Sequence, residues 1–234
     1  MTEFSRTALL IGEERLQKLR NSHIAVFGLG GVGSYVVEAL ARCGVGRLTL
    51  IDHDVVSLSN INRQLIALHS TVGRKKTDVV RERVLDINPE CVVTVIDEFY
   101  TADNADRIFS TEYDYVVDAI DSVDSKLDLI QRCKQNDVPI ICSMGTGNKL
   151  NPRMFEVDDI YNTQVCPLCR SMRSKLRKLG IESLRVVYSR EEPKQHSREI
   201  DPDSSKPVIS SISFVPSSAG LIIAENVIKD IAGI

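Results

Sequence analysis

The stretch "FGLGGVGSYVVEAL", residues 27–40, decides how the rest of the chain is read. Gly28, Gly30 and Gly33 are spaced G-x-G-x-x-G, with Gly31 between them. The apolar run "HIAVFG" (23–28) precedes this loop. Val32, Val36, Ala39, Leu40 and Cys43 follow at steps of three and four, one face of a helix. A glycine loop between strand and helix lets phosphate oxygens approach backbone N–H groups at a helix N-terminus, where the dipole favours negative charge. Asp52 ends the next apolar run, "RLTLID" (47–52), 19 residues beyond Gly33. That is where a carboxylate holds ribose hydroxyls. The spacing fits an enzyme that holds NAD as well as one that splits ATP.

Outward from the loop, strand and helix signals alternate. "KKTDVVRERVLDIN" places Val80, Val84 and Ile87 on one helical face, and the helix should stop before Pro89. "CVVTVIDEF", "YDYVVDAI" and "VPIICSMG" read as further strands with helical patterns between them. Such succession predicts an α/β, Rossmann-like doubly wound sheet, mostly parallel, with helices on both faces. The core of this single domain is expected over about 20–147. Residues 148–210 read as a substrate-side insertion: a strand "RMFEVDDI", a basic helix "PLCRSMRSKLRKLG" stopped at Gly180, a strand "LRVVYS", and a mobile loop over 190–207. Residues 211–234 read as a small C-terminal extension, a strand followed by an apolar helix packed back on the sheet.

Bulk composition excludes several classes. The 234 residues are 43% hydrophobic and 26% charged, ordinary globular values. No apolar run approaches the roughly 18 to 20 residues of a membrane span, and the N-terminus lacks a signal-peptide pattern. A cytoplasmic protein with no membrane partner is expected. The six cysteines do not suggest a disulfide scaffold. Only Cys166 and Cys169, in "VCPLCR", have ligand spacing, and a structural zinc site needs four donors. Net charge is −3, yet residues 166–194 carry eight Lys or Arg against three Glu. Arg173, Lys175, Arg177 and Lys178 on the basic helix are candidate RNA contacts, against the alternative of a solvated helix face.

The segment after the second strand separates NAD from ATP. "IDHDVVSLSNINRQ" brings Asn60, Arg63 and Gln64 close together, and "VGRKKTDVV" puts Lys75 and Lys76 at a helix start. Arg63 and Lys76 together are more cation than a resting pyrophosphate requires. Such a clamp suits charge that builds during phosphoryl or nucleotidyl transfer. Asp118 and Asp121, in "VVDAIDS", fall on the carboxyl edge of the sheet, where ligands bind. A carboxylate there can hold Mg²⁺; the competing role for Asp121 is a helix N-cap.

"GLGGVGS", "IDHDVVSLSNINRQ", "GRKK" and "DAIDS", in this order, resemble the ubiquitin-activating-like ThiF/MoeB/HesA adenylating family over roughly residues 6–147. The resemblance implies that Gly28, Gly30 and Gly33 bracket the phosphate loop of ATP and that Asp52 holds its ribose. It implies that Asn60, Arg63, Gln64 and Lys76 surround the phosphates, and that Asp121 carries the Mg²⁺. Gly31 and Asp54 lie within the same motifs and are nucleotide-binding candidates with them. Arg6, in "FSRTALLIGEERL", matches an arginine that reaches into the neighbouring subunit's active site, which implies a homodimer. Arg6, Arg63, Lys76 and Asp121 are the expected catalytic set.

Two carboxylates compete as the substrate: the Gly-Gly end of a ubiquitin-like sulfur carrier, and a carboxylate carried on RNA. Sulfur-carrier activators have two C-x-x-C pairs; this chain has one. "INRQLIALHSTVGRKK", "INPECVVTVIDEF" and "YVVDAIDSVDSK" resemble the branch whose substrate is tRNA carrying threonylcarbamoyladenosine. That implies adenylation of the threonine carboxylate and its closure to a cyclic form, with a sulfurtransferase-system partner left open. A reading of another class, a non-enzymatic nucleotide sensor on the same fold, predicts NAD binding without pyrophosphate release.

Overall fold

The computed structural model describes residues 2–194 and 208–234. Five parallel strands form the nucleotide half of one sheet: β1 (His23–Phe27), β2 (Arg47–Ile51), β3 (Val92–Ile96), β4 (Tyr115–Asp118) and β5 (Ile140–Ser143). β6 (Phe155–Asp159) and β7 (Arg185–Ser189) extend it, giving the order β3-β2-β1-β4-β5-β7-β6. β7 pairs parallel to β5, and only the edge strand β6 runs antiparallel.

The period-two alternation of these strands builds two cores. Ile24 and Val26 of β1, Val117 of β4 and Val187 of β7 face one side. There they meet α2 (Glu13–Asn21), α3 (Gly33–Arg42), α4 (Lys76–Ile87) and α8 (Phe214–Ala232). Ala25, Phe27, Val116 and Val186 face the other side, against α5 (Ala102–Ile108), α6 (Val123–Gln135) and α7 (Pro167–Lys178). The doubly wound sheet with helices on both faces is therefore present. The first helix, α1 (Ser5–Ile11), buries none of its residues and leaves Leu9 and Leu10 largely exposed. Among the described residues no helix is long and apolar enough to cross a membrane.

The ends of the helices follow their sequence signals. α4 stops at Ile87, two residues before Pro89, and α7 stops before Gly180, whose φ of 70° suits glycine. The C-terminal helix packs back as expected, and closely. A Cβ on Gly220 would lie 2.5 Å from the Val32 carbonyl oxygen, so only glycine lets α8 approach the start of α3. The strand expected at residue 211 does not form. Residues 208–213 are irregular, and Phe214 and Val215 already belong to α8. Pro216 sits in the first turn of that helix, where a missing N–H costs no intrahelical bond. Most of the mobile loop expected over 190–207 lies outside the described residues.

Candidate active site

The carboxyl ends of β1, β2, β4 and β5 open into a cavity of about 570 Å³. The glycine loop forms its floor. A Cβ on Gly33 would sit 1.7 Å from the Gly28 carbonyl oxygen, and one on Gly28 would sit 2.6 Å from that of Ala119. Both positions therefore exclude a side chain. Gly30 and Gly31 line the cavity itself, so the backbone is bare where a phosphate would approach it.

Asp52, at the end of β2, holds this floor in place. One of its oxygens accepts from Leu29 N–H at 2.7 Å and the other from Asp54 N–H at 2.8 Å. The carboxylate is buried but borders the cavity. Each oxygen retains a lone pair, which is what ribose hydroxyls require.

The cations lie opposite. Lys76 is the first residue of α4, 4% exposed, with its ammonium donating to Asp54 Oδ2 at 2.6 Å. His53 stands 3.2 Å from the other oxygen of Asp54. Arg63 lines the cavity and donates to the Ser59 carbonyl and to Asn62 Oδ1, both at 2.9 Å. No carboxylate pairs with it among the described residues, and burial lowers its pKa. Gln64 Oε1 is buried without a hydrogen-bond partner among the described residues. In an interior where buried polar atoms are almost always satisfied, such an atom marks a place for a ligand. Asn60 lines the same wall, and its side-chain oxygen accepts from Ser57 N–H at 3.2 Å.

Asp121 faces these groups from the end of β4. It lines the cavity and is exposed. The N-cap of α6 is the neighbouring Ser122, whose hydroxyl accepts from Ser125 N–H at 3.5 Å, so the capping role does not fall to Asp121. Asp118 takes a different part. It is fully buried, and Lys126 Nζ donates to it at 2.9 Å and to the Ser143 carbonyl at 2.9 Å. Its other oxygen accepts from Ile120 N–H at 3.1 Å. This pair ties the end of β4 to the end of β5, so the two turns that flank the cavity hold a fixed spacing.

The remaining expected residues lie away from the cavity. Arg6 is exposed on α1 and does not line it. On the basic helix, Arg173 turns inward and donates to the carbonyls of Thr163 at 2.9 Å and Ile160 at 3.3 Å, and to the Thr163 hydroxyl. Lys175 stands 3.5 Å from Asp124, and the Arg177 guanidinium lies over the Tyr161 ring at 5.3 Å. Lys178 is exposed. Arg173 is therefore a structural brace rather than a free cation, which corrects its expected place on an open basic face.

Several lining residues were missed in the sequence: Glu98, Phe99 and Tyr100 after β3, Met144 to Gly147 after β5, and Ile209, Ser211 and Pro216 near α8. The first two groups follow strand carboxyl ends, and that position was their only signal.

Comparison with known proteins agrees with this geometry. The model of the ThiF family matches residues 4–234. The tRNA threonylcarbamoyladenosine dehydratase of Bacillus subtilis is 44% identical over 98% of this chain and 94% of its own length. The crystal structure of E. coli tRNA N6-threonylcarbamoyladenosine dehydratase, TcdA, in complex with ATP superposes with a TM-score of 0.90. It is 37% identical, with 99% of this chain and 94% of that one covered. The same enzyme in complex with AMP matches equally well, at a TM-score of 0.90 and 37% identity over the same shares of both chains. With its glycine floor, Asp52 and paired cations in one cleft, this chain belongs to the ThiF family.

Proposed function

We propose that this chain is an ATP-dependent tRNA threonylcarbamoyladenosine dehydratase. The observation that carries the reading is the convergence of the glycine loop, Arg63, Lys76 and Asp121 on one cavity. Its relatives of the same fold bear that name and have been solved with ATP and with AMP, the nucleotide an adenylating enzyme leaves behind.

A carboxylate is a poor electrophile because its charge is delocalised. The threonine carboxylate attacks the α-phosphate of ATP, the bond to pyrophosphate breaks, and an acyl-adenylate remains. A nitrogen of the same threonylcarbamoyl group then attacks that carbonyl carbon, closing the ring and releasing AMP. The attacking nitrogen is tethered to its target, so a large effective molarity replaces a protein nucleophile. This chain's work is to bind and orient. Backbone N–H groups from Gly30 to Gly33, at the start of α3, take phosphate oxygens, and Asp52 takes the ribose. Arg63 and Lys76 neutralise charge that grows on the departing pyrophosphate. Asp121, exposed in the cleft and free of the capping duty, fits a Mg²⁺ site of one carboxylate completed by phosphate oxygens, and the ion would supply further neutralisation there.

The rest of the assembly follows on the same reading. The exposed Leu9 and Leu10 beside Arg6 on α1 support a homodimer in which Arg6 serves the neighbouring cleft. Residues 148–210 form the substrate side, a tRNA substrate accords with a cytoplasmic location, and a sulfurtransferase partner is compatible with it. The test is pyrophosphate release from ATP, measured with threonylcarbamoyl-modified tRNA and, separately, with a Gly-Gly-tailed sulfur carrier. Release with the tRNA and ring closure seen by nucleoside mass spectrometry are expected. Release with the carrier alone would sink the assignment.

A further inference from the structure

The C-x-x-C motif has no part in the chemistry above, yet it is the most elaborately surrounded pair of side chains outside the cleft. Cys166 is the N-cap of α7 and Cys169 its third residue, so the two thiols share the first turn of a twelve-residue helix. They are 2% and 0% exposed. Beside them lies Lys149, 4% exposed, whose ammonium donates to the Gly145 carbonyl at 2.8 Å and pairs with no carboxylate among the described residues. Burial lowers the Lys149 pKa, and the charges that oppose it are Cys166 first, then Glu191 and Cys169, so Cys166 is the strongest of the anionic groups that offset the cost of burying this ammonium. The backbone is strained on both approaches. Val165, immediately before Cys166, has φ of 67°, and Asn148, immediately before Lys149, has φ of 59°. For a β-branched residue such as valine that conformation is a true outlier, of the kind that persists at functional sites.

We propose that Cys166 and Cys169 form a redox-active dithiol, reversibly oxidised to a disulfide by small hydroperoxides, directly behind the wall of the nucleotide cleft.

The six cysteines divide sharply. The contact with the Cys169 thiol, the N–H groups of Cys169 and Gly145 and the Lys149 ammonium lower the pKa of the Cys166 thiol against the opposing effect of burial. Its partner Cys169 is pushed up by the Cys166 side chain and by burial. Burial pushes Cys91 up to about 11 and Cys133 up to about 12, and raises Cys43 and Cys142 as well. Cys166 is the one thiol of the six drawn toward its anion, while the others are drawn away from theirs. The thiolate is the nucleophile in thiol oxidation, so a small hydroperoxide that enters from the adjoining cleft meets its reactive sulfur at Cys166. A resident metal fits poorly. Zinc takes four donors, the one group of three or more metal-ligating side chains among the described residues is Asp52, His53 and Asp54, and the Lys149 ammonium would repel a cation.

The reaction balances with one oxidant. The Cys166 thiolate attacks the terminal oxygen of a hydroperoxide and the O–O bond breaks. The alkoxide leaves as an alcohol after taking a proton, and Cys166 becomes a sulfenic acid. Cys169 then attacks that sulfur as its own proton passes to the departing hydroxide. Water leaves and the S–S bond forms. Two thiols supply two electrons, and the hydroperoxide ends as one alcohol and one water. Because the environment stabilises the reduced form, the disulfide should be readily re-reduced by glutathione. Oxidation also removes the anion beside Lys149. Gly145 and Leu168 border both the pair and the cleft, so ATP affinity should fall several-fold; this last link rests on the nucleotide reading.

Purified full-length protein treated with hydrogen peroxide, alkylated under denaturing conditions and mapped by peptide mass spectrometry tests the proposal. The peptides bearing Cys166 and Cys169 should lose two hydrogens, regain them with dithiothreitol, and leave the other four cysteines alkylated. Cys169→Ser should trap a sulfenic acid on Cys166, captured by dimedone. Oxidation of Cys43 with the pair still alkylated overturns the proposal, as does stoichiometric zinc on the pair in the purified protein. ATP binding to the reduced and oxidised forms separates the two readings. Failure of the reduced protein to bind ATP refutes the nucleotide site and leaves the disulfide result intact. Equal affinity in both forms refutes the link to the cleft.

Discussion

Two lysine–aspartate pairs stand at the carboxyl edge of the sheet, and they do opposite work. Lys76 meets Asp54 at 2.6 Å, with side-chain exposures of 5% and 49%. Lys126 meets Asp118 at 2.9 Å, with exposures of 1% and 0%. Each joins the first turns of a helix to the end of a strand. The acidic side of the first pair is open to solvent, so on the proposed function it can separate and deliver its cation to an incoming phosphate. The second is sealed, and its carboxylate and ammonium also satisfy Ile120 N–H and the Ser143 carbonyl. Accessibility, rather than the residue types, distinguishes a cation that serves a ligand from one that serves the frame.

Breaking the sealed pair should have the largest effect. Lys126→Met leaves the buried Asp118 carboxylate without its cation, a loss of about 3–5 kcal/mol in folding stability. Chemical denaturation should show the midpoint falling sharply. The double variant Asp118→Leu with Lys126→Met removes both charges and should recover much of that loss. If the single variant proves no less stable than the double, Asp118 is not isolated from water and the contrast between the two pairs fails.

Opening the cleft pair should spare the fold and cost activity. A half-exposed ion pair contributes about 1 kcal/mol or less to stability, so Lys76→Ala should unfold close to the wild-type denaturant concentration. Loss of a cation from the transition-state charge should lower turnover by about 10²–10³-fold. Arg63→Ala should match it, since Arg63 has no carboxylate partner among the described residues to release. Pyrophosphate release with modified tRNA provides the measurement. Normal turnover in either variant would return these side chains to the status of surface cations.

How much of this was legible in the sequence depends on how local each signal is. The glycine loop, Asp52 and the strand runs are contiguous patterns, and Gly28 and Gly33 prove irreplaceable for the steric reason their spacing implies. Lys76 and Arg63 were legible because two basic residues close to one phosphate loop are unusual chemistry. Residues 144–147 and 209–216 line the same cavity from distant segments. They contribute mainly backbone and apolar wall, and no residue type announces that. "SISFVP" alternates like a strand, but proline in a first helical turn is harmless, so the helix begins two residues before Pro216 instead of after it. Arg173 misled for a related reason. Periodicity assigns a charged side chain to the outside of a helix, whereas a long guanidinium can reach back to carbonyls of the segment that leads into it, here Ile160 and Thr163.

The contrast between locked and open cations extends to α7 and yields the smallest expected effect. Arg173 is bound to Thr163 and Ile160, whereas Arg170 and Lys178 are exposed and pair with no carboxylate among the described residues. If tRNA lies along this helix, its phosphates meet the exposed cations. Arg170→Glu with Lys178→Glu should weaken tRNA binding and reduce the slope of log affinity against log salt by about two, one for each phosphate no longer neutralised. Arg173→Ala should leave that slope unchanged and lower thermal stability instead, because it strips hydrogen bonds from buried carbonyls. Filter binding across a salt series separates the outcomes. A slope that moves with Arg173 and not with Arg170 and Lys178 would mean that the guanidinium leaves its brace to meet RNA, and the division between frame and ligand cations would not hold on this face.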